Sequence, residues 1–520
     1  MKTMTKRIAG AALAVMMAVV MLASALPTKA FAATTGNLTI TSQSAEFKGK
    51  DVKAWQMFSA TVTAGGKNAS YTLNAEWEPF FKTEIGGNMT GLSGEKLSQA
   101  AIEYVNALGT DDGTNVIAFA KKASDWAKKN SIAATSSATA SGDGAPYVAT
   151  FSGLAFGYYV VSPQGGSTAD RGTDAILANV VMAEKNVNLK SEYPTINKTV
   201  GGGNHADAQV GDVLNFVLTS KVPNMVEYTT YTFNFVDTLS KGLTLDEGSI
   251  KVTIGSVDLV KGIDYDVTVA GGAGTATNLT ITMKDFKTKH GGKAGQAIKV
   301  TYSASINEHA VAGMDDAGNS AKLEYSNDPI NGGTGTSVSS VTHGYTFGFD
   351  INKTDGTGGS ALAGAVFQLQ KRGEVTPIKL IVENAGDGSN PAVVRPAKPA
   401  EIAAQPSNAV DTITTPANGK ITFKGLDAAE YQLVETEAPD GYNKLKDPVD
   451  VTIVANYDQD GVLQSWTVNG GGNDVALNIQ NNKGTLLPET GGMGTILFTL
   501  VGAAASGYGI YRKRTAKTVA

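Results

Sequence analysis

The side chains that most often carry out catalysis or bind metals are scarce in this chain. It contains no cysteine, which excludes thiol nucleophiles, disulfides and cysteine-based metal sites. Its four histidines are scattered without ligand spacing, so we interpret them as surface or structural residues and expect no metal site: His205, His290, His309 and His343. No pair of carboxylates is singled out as the acid and base of a glycosidase. The chemistry of the remaining lysines, acids and asparagines depends on where the fold places them.

The C-terminus carries three features in a fixed order. The pentapeptide LPETG is followed by an apolar run at 493–511 that is long enough to cross a bilayer, and then by a basic tail that would stay on the cytoplasmic side. Together they resemble a sortase sorting signal at 487–520. The resemblance implies that a transpeptidase cysteine attacks the carbonyl between Thr490 and Gly491, after which the mature protein has no transmembrane helix. The motif consists of Leu487, Pro488, Glu489, Thr490 and Gly491.

The N-terminus predicts export. Positive residues precede a long apolar run, and small residues flank Phe31 in an Ala-x-Ala pattern, so a signal peptide is expected at 1–32. The alternative is a retained membrane anchor. The net charge of −5 and the lack of a basic block away from the termini argue against nucleic-acid binding. The 60 glycines, with frequent Thr, Val, Asn and Asp, favour short strands joined by tight turns.

Residues 33–190 are predicted to form a β-rich domain with a helical insertion. Strand-like runs occur at 38–40, 147–149 and 158–161. Between them, two stretches place apolar residues on one helical face. The first stretch has Leu97, Ala101, Tyr104, Val105 and Leu108, and the second has Val116, Phe119, Ala123, Trp126 and Ala127.

Two further β-sandwich domains are predicted at 194–335 and 344–484. Runs in the first of these alternate apolar and polar residues at period two, which favours strands with one buried face. A Gly-, Thr- and Ser-rich stretch at 331–340 is typical of a linker. In the last domain, a Pro- and Ala-rich piece at 390–406 is interpreted as a long surface loop. The predicted fold class is mainly all-β, with tandem Ig-like sandwiches.

The last two domains contain stretches that resemble the backbone pilins of Gram-positive pili, of the SpaA or FimA type. LAGAVFQL at 362–369 is similar to the opening of a CnaB-type domain, and YQLVETEAPDGY at 431–442 is similar to its E-box. The middle domain resembles the second domain of such pilins at 211–212, 236–238 and 319–321. The resemblance covers nearly the whole mature length.

This resemblance implies an isopeptide bond between a lysine and an asparagine in the core of each such domain, formed with the help of an acid. The middle domain would join Lys198 to Asn319, with Asp237 as the acid. The last domain would join Lys353 to Asn481, with Glu435 as the acid. Such bonds form once per molecule without outside help, so they do not make the chain an enzyme. The first domain offers no convincing set of the three residue types.

Strand parity tests these assignments independently, because alternate residues of a strand share a face. All six residues fall in step with apolar neighbours and hence on a core-facing row. The neighbours are Ile196, Val200, Tyr231, Phe233, Phe235, Ala321, Leu323 and Tyr325 in the middle domain, and Tyr345, Phe347, Phe349, Ile351, Tyr431, Leu433, Val475, Leu477 and Ile479 in the last. Strand parity also favours Asn481 over its neighbour Asn482 as the asparagine on the core-facing row.

Burial supplies what this chemistry requires. A lysine amine is a nucleophile only when neutral, and an apolar site lowers its pKa. The same site raises the pKa of a carboxylic acid, which can then polarise the asparagine carbonyl and shuttle protons. The alternative for each residue is a strand-end side chain that reaches water, or a buried ion pair.

Polymerisation by a sortase requires an exposed lysine. In the pilin family this lysine ends the first domain, often within Tyr-Pro-Lys, whereas residues 193–195 of this chain are Tyr-Pro-Thr. The best candidate is Lys190, which lies on the opposite strand face from Val187 and Leu189 and therefore towards solvent. Lys185 is the second candidate. The alternative is an ordinary surface lysine at a domain boundary.

We therefore expect a secreted, wall-anchored structural subunit of a covalent pilus, or fimbria, that supports adhesion. The resemblance implies a class C-type pilin sortase that joins Lys190 to Thr490 of another subunit, a housekeeping sortase, identical subunits, ancillary pilins and peptidoglycan as partners, and no cofactor. The alternative is a monomeric wall-anchored adhesin, or an ancillary tip or base pilin. A monomeric adhesin would share the sorting signal but would not need Lys190.

Overall fold

The chain folds mainly as β-structure, as the sequence predicts. The computed structural model describes residues 35–63, 68–109, 114–164, 175–189, 193–272, 274–330, 332–472, 476–484, 503–508 and 510. Unit 1 of two compact units runs up to Phe347 and includes Gly425–Ala428 and Ala455–Trp466. Unit 2 comprises Gly348–Lys424, Ala429–Val454 and the chain from Thr467 onwards. Unit 1 contains two hydrophobic cores, which we call the first and second core.

The first part of unit 1 surrounds the first core with two sheets and two helices. Its elements are β1 (Thr35–Ser42), β2 (Asp51–Val62), β3 (Ala69–Leu73), α1 (Gly94–Asn106), α2 (Thr114–Lys129), β4 (Ser136–Thr139), β5 (Tyr147–Ala155), β6 (Gly157–Pro163), β7 (Ile176–Val180) and β8 (Glu184–Asn188). One sheet has the strand order β5-β1-β8. The other has the order β3-β2-β6-β7, with β4 paired to β2.

Both helices form where the apolar periodicity predicts them. Helix α1 buries Leu97, Ala101 and Val105 but leaves Tyr104 38% exposed. Helix α2 buries all five residues of its predicted face. An apolar stripe at helical spacing stabilises a helix mainly through tertiary packing, and here both stripes pack into the first core.

The second part of unit 1 is a sandwich of two sheets around the second core. Its elements are β9 (Asn197–Val200), β10 (His205–Asp207), β11 (Val213–Lys221), β12 (Phe233–Leu239), β13 (Leu243–Ile254), β14 (Val257–Asp258), β15 (Tyr265–Gly271), β16 (Thr277–Met283), α3 (Phe286–His290), β17 (Ala297–Ile306), β18 (Asn319–Ser326), β19 (Thr334–Thr336) and β20 (Ser340–Tyr345). One sheet has the order β14-β13-β17-β11-β9. The other has the order β10-β20-β18-β12-β16-β15, with β19 paired to β18. Alternate residues of β17 and β18 are buried, as period-two patterning predicts.

The Gly-, Thr- and Ser-rich stretch at 331–340 is not the linker that its composition predicts. It contains β19 and the start of β20, and both strands pair with β18. The hydroxyl of Ser337 also accepts a hydrogen bond from the Leu323 N–H at 2.9 Å. The edge of β18 offers backbone donors and acceptors that must be satisfied, and this requirement outweighs the weak strand preference of the stretch.

Two further five-stranded sheets form the C-terminal part of the fold. Their elements are β21 (Phe347–Asp355), β22 (Val366–Lys371), β23 (Leu380–Asn384), β24 (Ala392–Pro396), α4 (Pro399–Ala403), β25 (Ile413–Thr414), β26 (Lys420–Leu426), β27 (Glu430–Glu437), β28 (Val449–Tyr457), β29 (Leu463–Val468) and β30 (Leu477–Asn481). The strand orders are β23-β24-β26-β21-β30 and β25-β22-β27-β28-β29. The first and last strands, β21 and β30, are parallel neighbours, with Lys353 opposite Ile479 and Asp355 opposite Asn481.

Residues 390–406 are not the surface loop that the sequence predicts. They contain β24, which lies between β23 and β26, and the short helix α4. Ala392 and Val394 alternate into the core and are buried. Pro396 ends its strand and Pro399 begins its helix, and these are positions that tolerate proline. Proline content therefore marked the boundaries of two elements and not the absence of structure.

The predicted export and sorting signals lie outside the described residues. This holds for the signal peptide at 1–32, for LPETG at 487–491 and for most of the apolar run at 493–511. Within the part of the chain that the structure describes, no helix combines the length and the apolar character needed to span a membrane.

Candidate crosslinking sites

The three residues expected to react in the middle of the chain meet inside the second core. Lys198 lies on β9 in one sheet, while Asp237 and Asn319 lie on β12 and β18, which are neighbours in the other. All three side chains are buried, on the core-facing rows that strand parity predicts, and only 3% of Lys198 is exposed. The Lys198 amine reaches across the sandwich and lies 2.8 and 2.7 Å from the two carboxylate oxygens of Asp237.

A fourth residue, Tyr302 on β17, connects this set. Its hydroxyl accepts hydrogen bonds from Lys198 Nζ at 2.7 Å and from Asn319 Nδ2 at 2.6 Å, and donates to Asp237 at 2.5 Å. A tyrosine hydroxyl has one proton and two lone pairs, so these three contacts use its full capacity. The amine therefore contacts the acid directly and reaches the amide only through Tyr302. Sequence reasoning missed Tyr302, because a tyrosine in step with apolar neighbours on a strand usually indicates only packing.

Burial also changes the protonation of the second-core groups. It lowers the pKa of Lys198 from 10.5 to about 8, although the nearby Asp237 carboxylate opposes this shift. About a tenth of such an amine is neutral at pH 7, compared with about one in three thousand for an ordinary lysine. Burial, and then the charge of Asp237, raise the pKa of Tyr302 well above its usual value, so the hydroxyl keeps its proton.

The second expected set meets between the C-terminal sheets. Lys353 on β21 and Asn481 on β30 lie on neighbouring strands, and the amine is 2.5 Å from Asn481 Oδ1. Glu435 comes from β27 in the facing sheet and accepts a hydrogen bond from Asn481 Nδ2 at 2.7 Å. All three side chains are buried. The amine thus lies at the oxygen end of the amide, and the acid lies at its nitrogen end.

The acid of this second set is held in place from two sides. The Leu445 N–H donates to Glu435 Oε2 at 2.7 Å, which leaves Oε1 directed at the amide. The Lys353 amine lies 3.9 Å from Glu435, beyond hydrogen-bonding distance. Burial lowers the pKa of Lys353, and Glu435 opposes that shift. The arrangement can therefore supply a neutral amine, an aligned carbonyl and a proton carrier.

The remaining predicted residues divide into described and undescribed positions. Asn481 is buried and Asn482 is exposed, which are the directions that strand parity predicts for the two side chains. Lys185 is half-buried on β8, where it pairs with Leu38. Lys190, the preferred candidate for the link between subunits, lies outside the described residues, as does the LPETG motif with Thr490.

The histidines are less scattered in space than in sequence. His205 and His343 stand opposite each other on the parallel pair β10 and β20, and His290 is buried at the end of α3. Among the described residues, no group of three or more His, Cys, Asp or Glu side chains is placed to hold a metal ion.

Two family models match the parts of the chain that contain these sites. Residues 210–329 match the Gram-positive pilin backbone subunit 2, Cna-B-like domain, and residues 348–467 match the SpaA prealbumin-like fold domain. The chain thus contains a Gram-positive pilin backbone domain and a SpaA prealbumin-like domain. The two matched ranges include both acids and Tyr302, whereas Lys198 precedes the first match and Asn481 follows the second.

Individual pilins are similar to the chain at low identity. The trypsin-resistant surface T6 protein of Streptococcus pyogenes serotype M6 is 23% identical over 288 residues, which cover 51% of this chain and 46% of that protein. The match thus spans about half the length of that relative. The solved T6 backbone pilin of serotype M6 has 15% identity, a TM-score of 0.46, and coverage of 87% of this chain and 99% of its own. The Corynebacterium diphtheriae major pilin SpaA has 14% identity, a TM-score of 0.46, and coverage of 86% and 100%.

Proposed function

We propose that this chain is the structural backbone subunit of a covalently polymerised pilus that is anchored to a Gram-positive cell wall. Each of its two pilin domains is sealed by one internal amide, Lys198 to Asn319 and Lys353 to Asn481. The chain is not an enzyme, since each amide forms once and stays in the product. The folded chain lies outside the cell, where the fibre supports adhesion.

The arrangement around Asn481 is the observation that carries this proposal. A buried amine at 2.5 Å from the amide oxygen and a buried acid at 2.7 Å from the amide nitrogen flank one side chain from opposite ends. An uncompensated lysine in a protein core is costly, and the 3.9 Å separation from Glu435 makes a poor ion pair. Burial of the lysine is explained if it reacts with Asn481 and loses its charge.

The reaction balances without a cofactor. The Lys353 ammonium first loses one proton to solvent, and the neutral amine attacks the Asn481 side-chain carbon while passing one of its two remaining protons to the Glu435 carboxylate. The acid returns the proton to Nδ2, the bond from that carbon to Nδ2 breaks, and ammonia leaves. The new amide is neutral and takes the place of a lysine, so the core no longer holds a positive charge.

The amide also constrains the chain. Lys353 and Asn481 are separated by 128 residues, and closing a loop of that length restricts the unfolded state by about 5 kcal/mol if the chain-entropy estimate for disulfides applies. In a protein without cysteine this link takes the stabilising role that disulfides have in other exported proteins.

The link between subunits uses residues beyond those that the structure describes. We propose that a class C-type pilin sortase cleaves LPETG after Thr490 and transfers its acyl group to Lys190 of another subunit. A housekeeping sortase then joins the finished fibre to peptidoglycan, and ancillary pilins add to it. Lys190 follows the buried Leu189 in the sequence, and the alternation of apolar and polar residues in the sequence predicts that Lys190 faces solvent.

Intact mass of the mature protein tests the internal amides. We expect a deficit of at least two ammonia molecules, about 17 Da each. The double variant Lys198→Met, Lys353→Met should show a deficit that is smaller than that of the wild type by two ammonia molecules. A full sequence mass for the wild type would refute the internal links and leave the sorting signal as the only argument for wall attachment.

A denaturing gel of wall extracts tests the polymer. We expect a ladder of high-mass species that Lys190→Ala abolishes and that Lys185→Ala, the matched control, preserves. Loss of the ladder with Lys185→Ala alone would reassign the linking lysine. A single band from the wild type would contradict the shaft role and favour the alternative, a monomeric wall-anchored adhesin.

A further inference from the structure

The four residue types of the second core recur at a second place in unit 1. Lys50 and Glu46 lie between β1 and β2 in the first part, whereas Tyr325 and Asn327 lie at the end of β18 in the second part. A lysine, an acid, a tyrosine and an asparagine therefore converge where two sequence-distant parts of unit 1 meet. The predicted pairs at Asn319 and Asn481 do not involve any of these residues.

The Lys50 amine makes tyrosine contacts like those of Lys198. It donates to the Tyr325 hydroxyl at 3.0 Å and to the Thr336 carbonyl at 3.1 Å, and lies 5.2 Å from the centre of the Tyr325 ring. In the second core, Lys198 donates to the Tyr302 hydroxyl at 2.7 Å and lies 5.2 Å from that ring. Burial lowers the pKa of Lys50, while the nearby Glu46 opposes the shift. The amine is therefore more often neutral than a surface lysine would be.

Asn327 presents an unpaired carbonyl on the same row as Asn319. Positions 319, 321, 323, 325 and 327 are all buried, so the two asparagines terminate one core-facing row at its two ends. Asn327 is 8% exposed, and its Oδ1 accepts no hydrogen bond within the described residues. A buried polar atom without a partner is unfavourable and calls for an explanation. Asn319 Oδ1 in the second core has the same unpaired state.

The lysine and the asparagine approach each other at Gly335. Gly335 lies opposite Tyr325 in the β18–β19 pair. A β-carbon at Gly335 would lie 3.2 Å from Asn327 Nδ2 and 3.5 Å from Lys50 Nζ. The two nitrogens therefore lie less than about 7 Å apart. Formation of an amide requires the Asn327 side chain to rotate towards the amine.

Glu46 supplies the acid. Its carboxyl is 5% exposed and accepts a hydrogen bond from the Val338 N–H at 2.7 Å. Burial raises the pKa of Glu46 to about 7, against the lowering effects of that hydrogen bond and of Lys50. About half of such a group is protonated at pH 7, so it can both accept and return a proton.

We propose that Lys50 and Asn327 form a third amide, which fastens the first part of unit 1 to the second. The neutral Lys50 amine attacks the Asn327 side-chain carbon, Glu46 carries one of its two protons to Nδ2, the bond from that carbon to Nδ2 breaks, and ammonia leaves. The Tyr325 hydroxyl positions the amine, as Tyr302 does for Lys198. This inference rests on the same amide-forming chemistry as the proposed function but not on polymerisation.

Peptide mapping of the full mature chain by mass spectrometry tests this link. We expect a branched peptide that joins the Lys50 and Asn327 segments and is about 17 Da lighter than the sum of the two. Lys50→Arg, which keeps the charge, and Asn327→Ala should each give only linear peptides. The control Lys48→Arg changes an exposed lysine of the same loop and should keep the branch. Glu46→Gln, which cannot carry the proton, should reduce the linked fraction at least about tenfold.

The branched Lys353–Asn481 peptide serves as an internal reference in the same digest. If it is present while Lys50 and Asn327 appear only in linear peptides, the third link is overturned and the proposed function stands. If the branches at Asn327, Asn319 and Asn481 are all absent, the amide-forming chemistry itself fails, and the proposed internal amides fail with it. Because the decisive observation is made on the wild-type chain, it does not depend on whether a variant folds.

Discussion

The two core sites contain the same three residue types but arrange them differently. In the second core, the Lys198 amine contacts both oxygens of its acid and reaches Asn319 only through Tyr302. Between the C-terminal sheets, the Lys353 amine contacts the amide oxygen of Asn481, and the acid contacts the amide nitrogen. One site holds its amine as an ion pair, and the other holds it against the group that it attacks.

This difference indicates which step limits each proposed bond. Lys198 must first give its proton to Asp237 and then move to the amide, since its cation is stabilised at 2.7 Å from the carboxylate. Lys353 needs only to lose its proton, because its nitrogen already lies beside the carbonyl. We therefore expect the Lys353–Asn481 bond to form first in newly made chains.

Replacing Lys353 with methionine should have the largest effect, because it removes the reacting amine from the site between the C-terminal sheets. The apolar chain of similar length fills the core, while Glu435 and Asn481 keep their mutual hydrogen bond. We expect one ammonia deficit to disappear and the hydrogen-exchange protection of β21 and β30 to fall by about 5 kcal/mol. Lys379→Met, at a partly exposed lysine paired with Asp411, should change protection by less than about 1 kcal/mol. Equal protection in both variants would contradict a covalent link.

Neutralising the acids separately should distinguish their roles. Asp237→Asn and Glu435→Gln should each slow closure of their own bond at least about a hundredfold, since neither amide can carry the proton. Asp237→Asn should in addition destabilise the unlinked protein by about 3 kcal/mol, because it leaves the Lys198 cation buried without its partner. Time-resolved mass of newly synthesised chains and denaturant unfolding measure the two effects. Equal destabilisation by both changes would argue that the two amines are held alike.

Tyr302→Phe should affect only the second core. It removes the hydroxyl that joins Lys198 to Asn319 but keeps the ring stacked 5.3 Å from that of Phe216. We expect closure of the Lys198–Asn319 bond to slow by about tenfold, the value of one hydrogen bond, while the Lys353–Asn481 bond forms at its usual rate in the same molecule. Slowing of both bonds would mean that the phenylalanine perturbs folding in general.

The pH dependence of the unlinked second core should be the smallest effect. In Asn319→Ala the amine stays free, with a pKa of about 8 in the folded state and 10.5 in the unfolded state. Between these values the unfolded chain binds more protons, so the free energy of unfolding should rise as the pH increases from about 8 to 10.5, by up to about 1.4 kcal/mol for each pH unit. The double variant Asn319→Ala, Lys198→Met corrects for all other titrating groups. The free energy of unfolding of the first variant, relative to that of the double variant, should rise over this pH range. If it falls instead, the pKa of Lys198 is not depressed.

Strand parity predicted the core positions well because it depends on a local property. Alternation along β9, β12, β18, β21 and β27 directs Lys198, Asp237, Asn319, Lys353 and Glu435 inwards whatever the partner strands are. Strand parity does not predict which strands lie opposite each other, so it could not predict the contact between Tyr302 of β17 and Asn319. Composition was a weaker guide, since edge pairing at 331–340 and alternation at 392–394 produced strands where Gly or Pro content predicted none.

The Lys50 set escaped sequence reasoning for a different reason. The sequence of the first predicted domain contains no convincing set of a lysine, an acid and an asparagine. In the structure the asparagine directly follows β18 and the lysine comes from the loop before β2. Only the tertiary fold brings these residues together.

The adjacency of β21 and β30 has a mechanical consequence. A tensile force on a fibre would enter this pilin domain on the β21 side and leave it on the β30 side, and the proposed amide joins these two strands directly. The force would pass through covalent bonds from Lys353 to Asn481, and the residues between them would bear almost none of it. The domain would resist stretching because its load path bypasses its hydrogen bonds, so the loops and inner strands are free to vary without weakening the shaft.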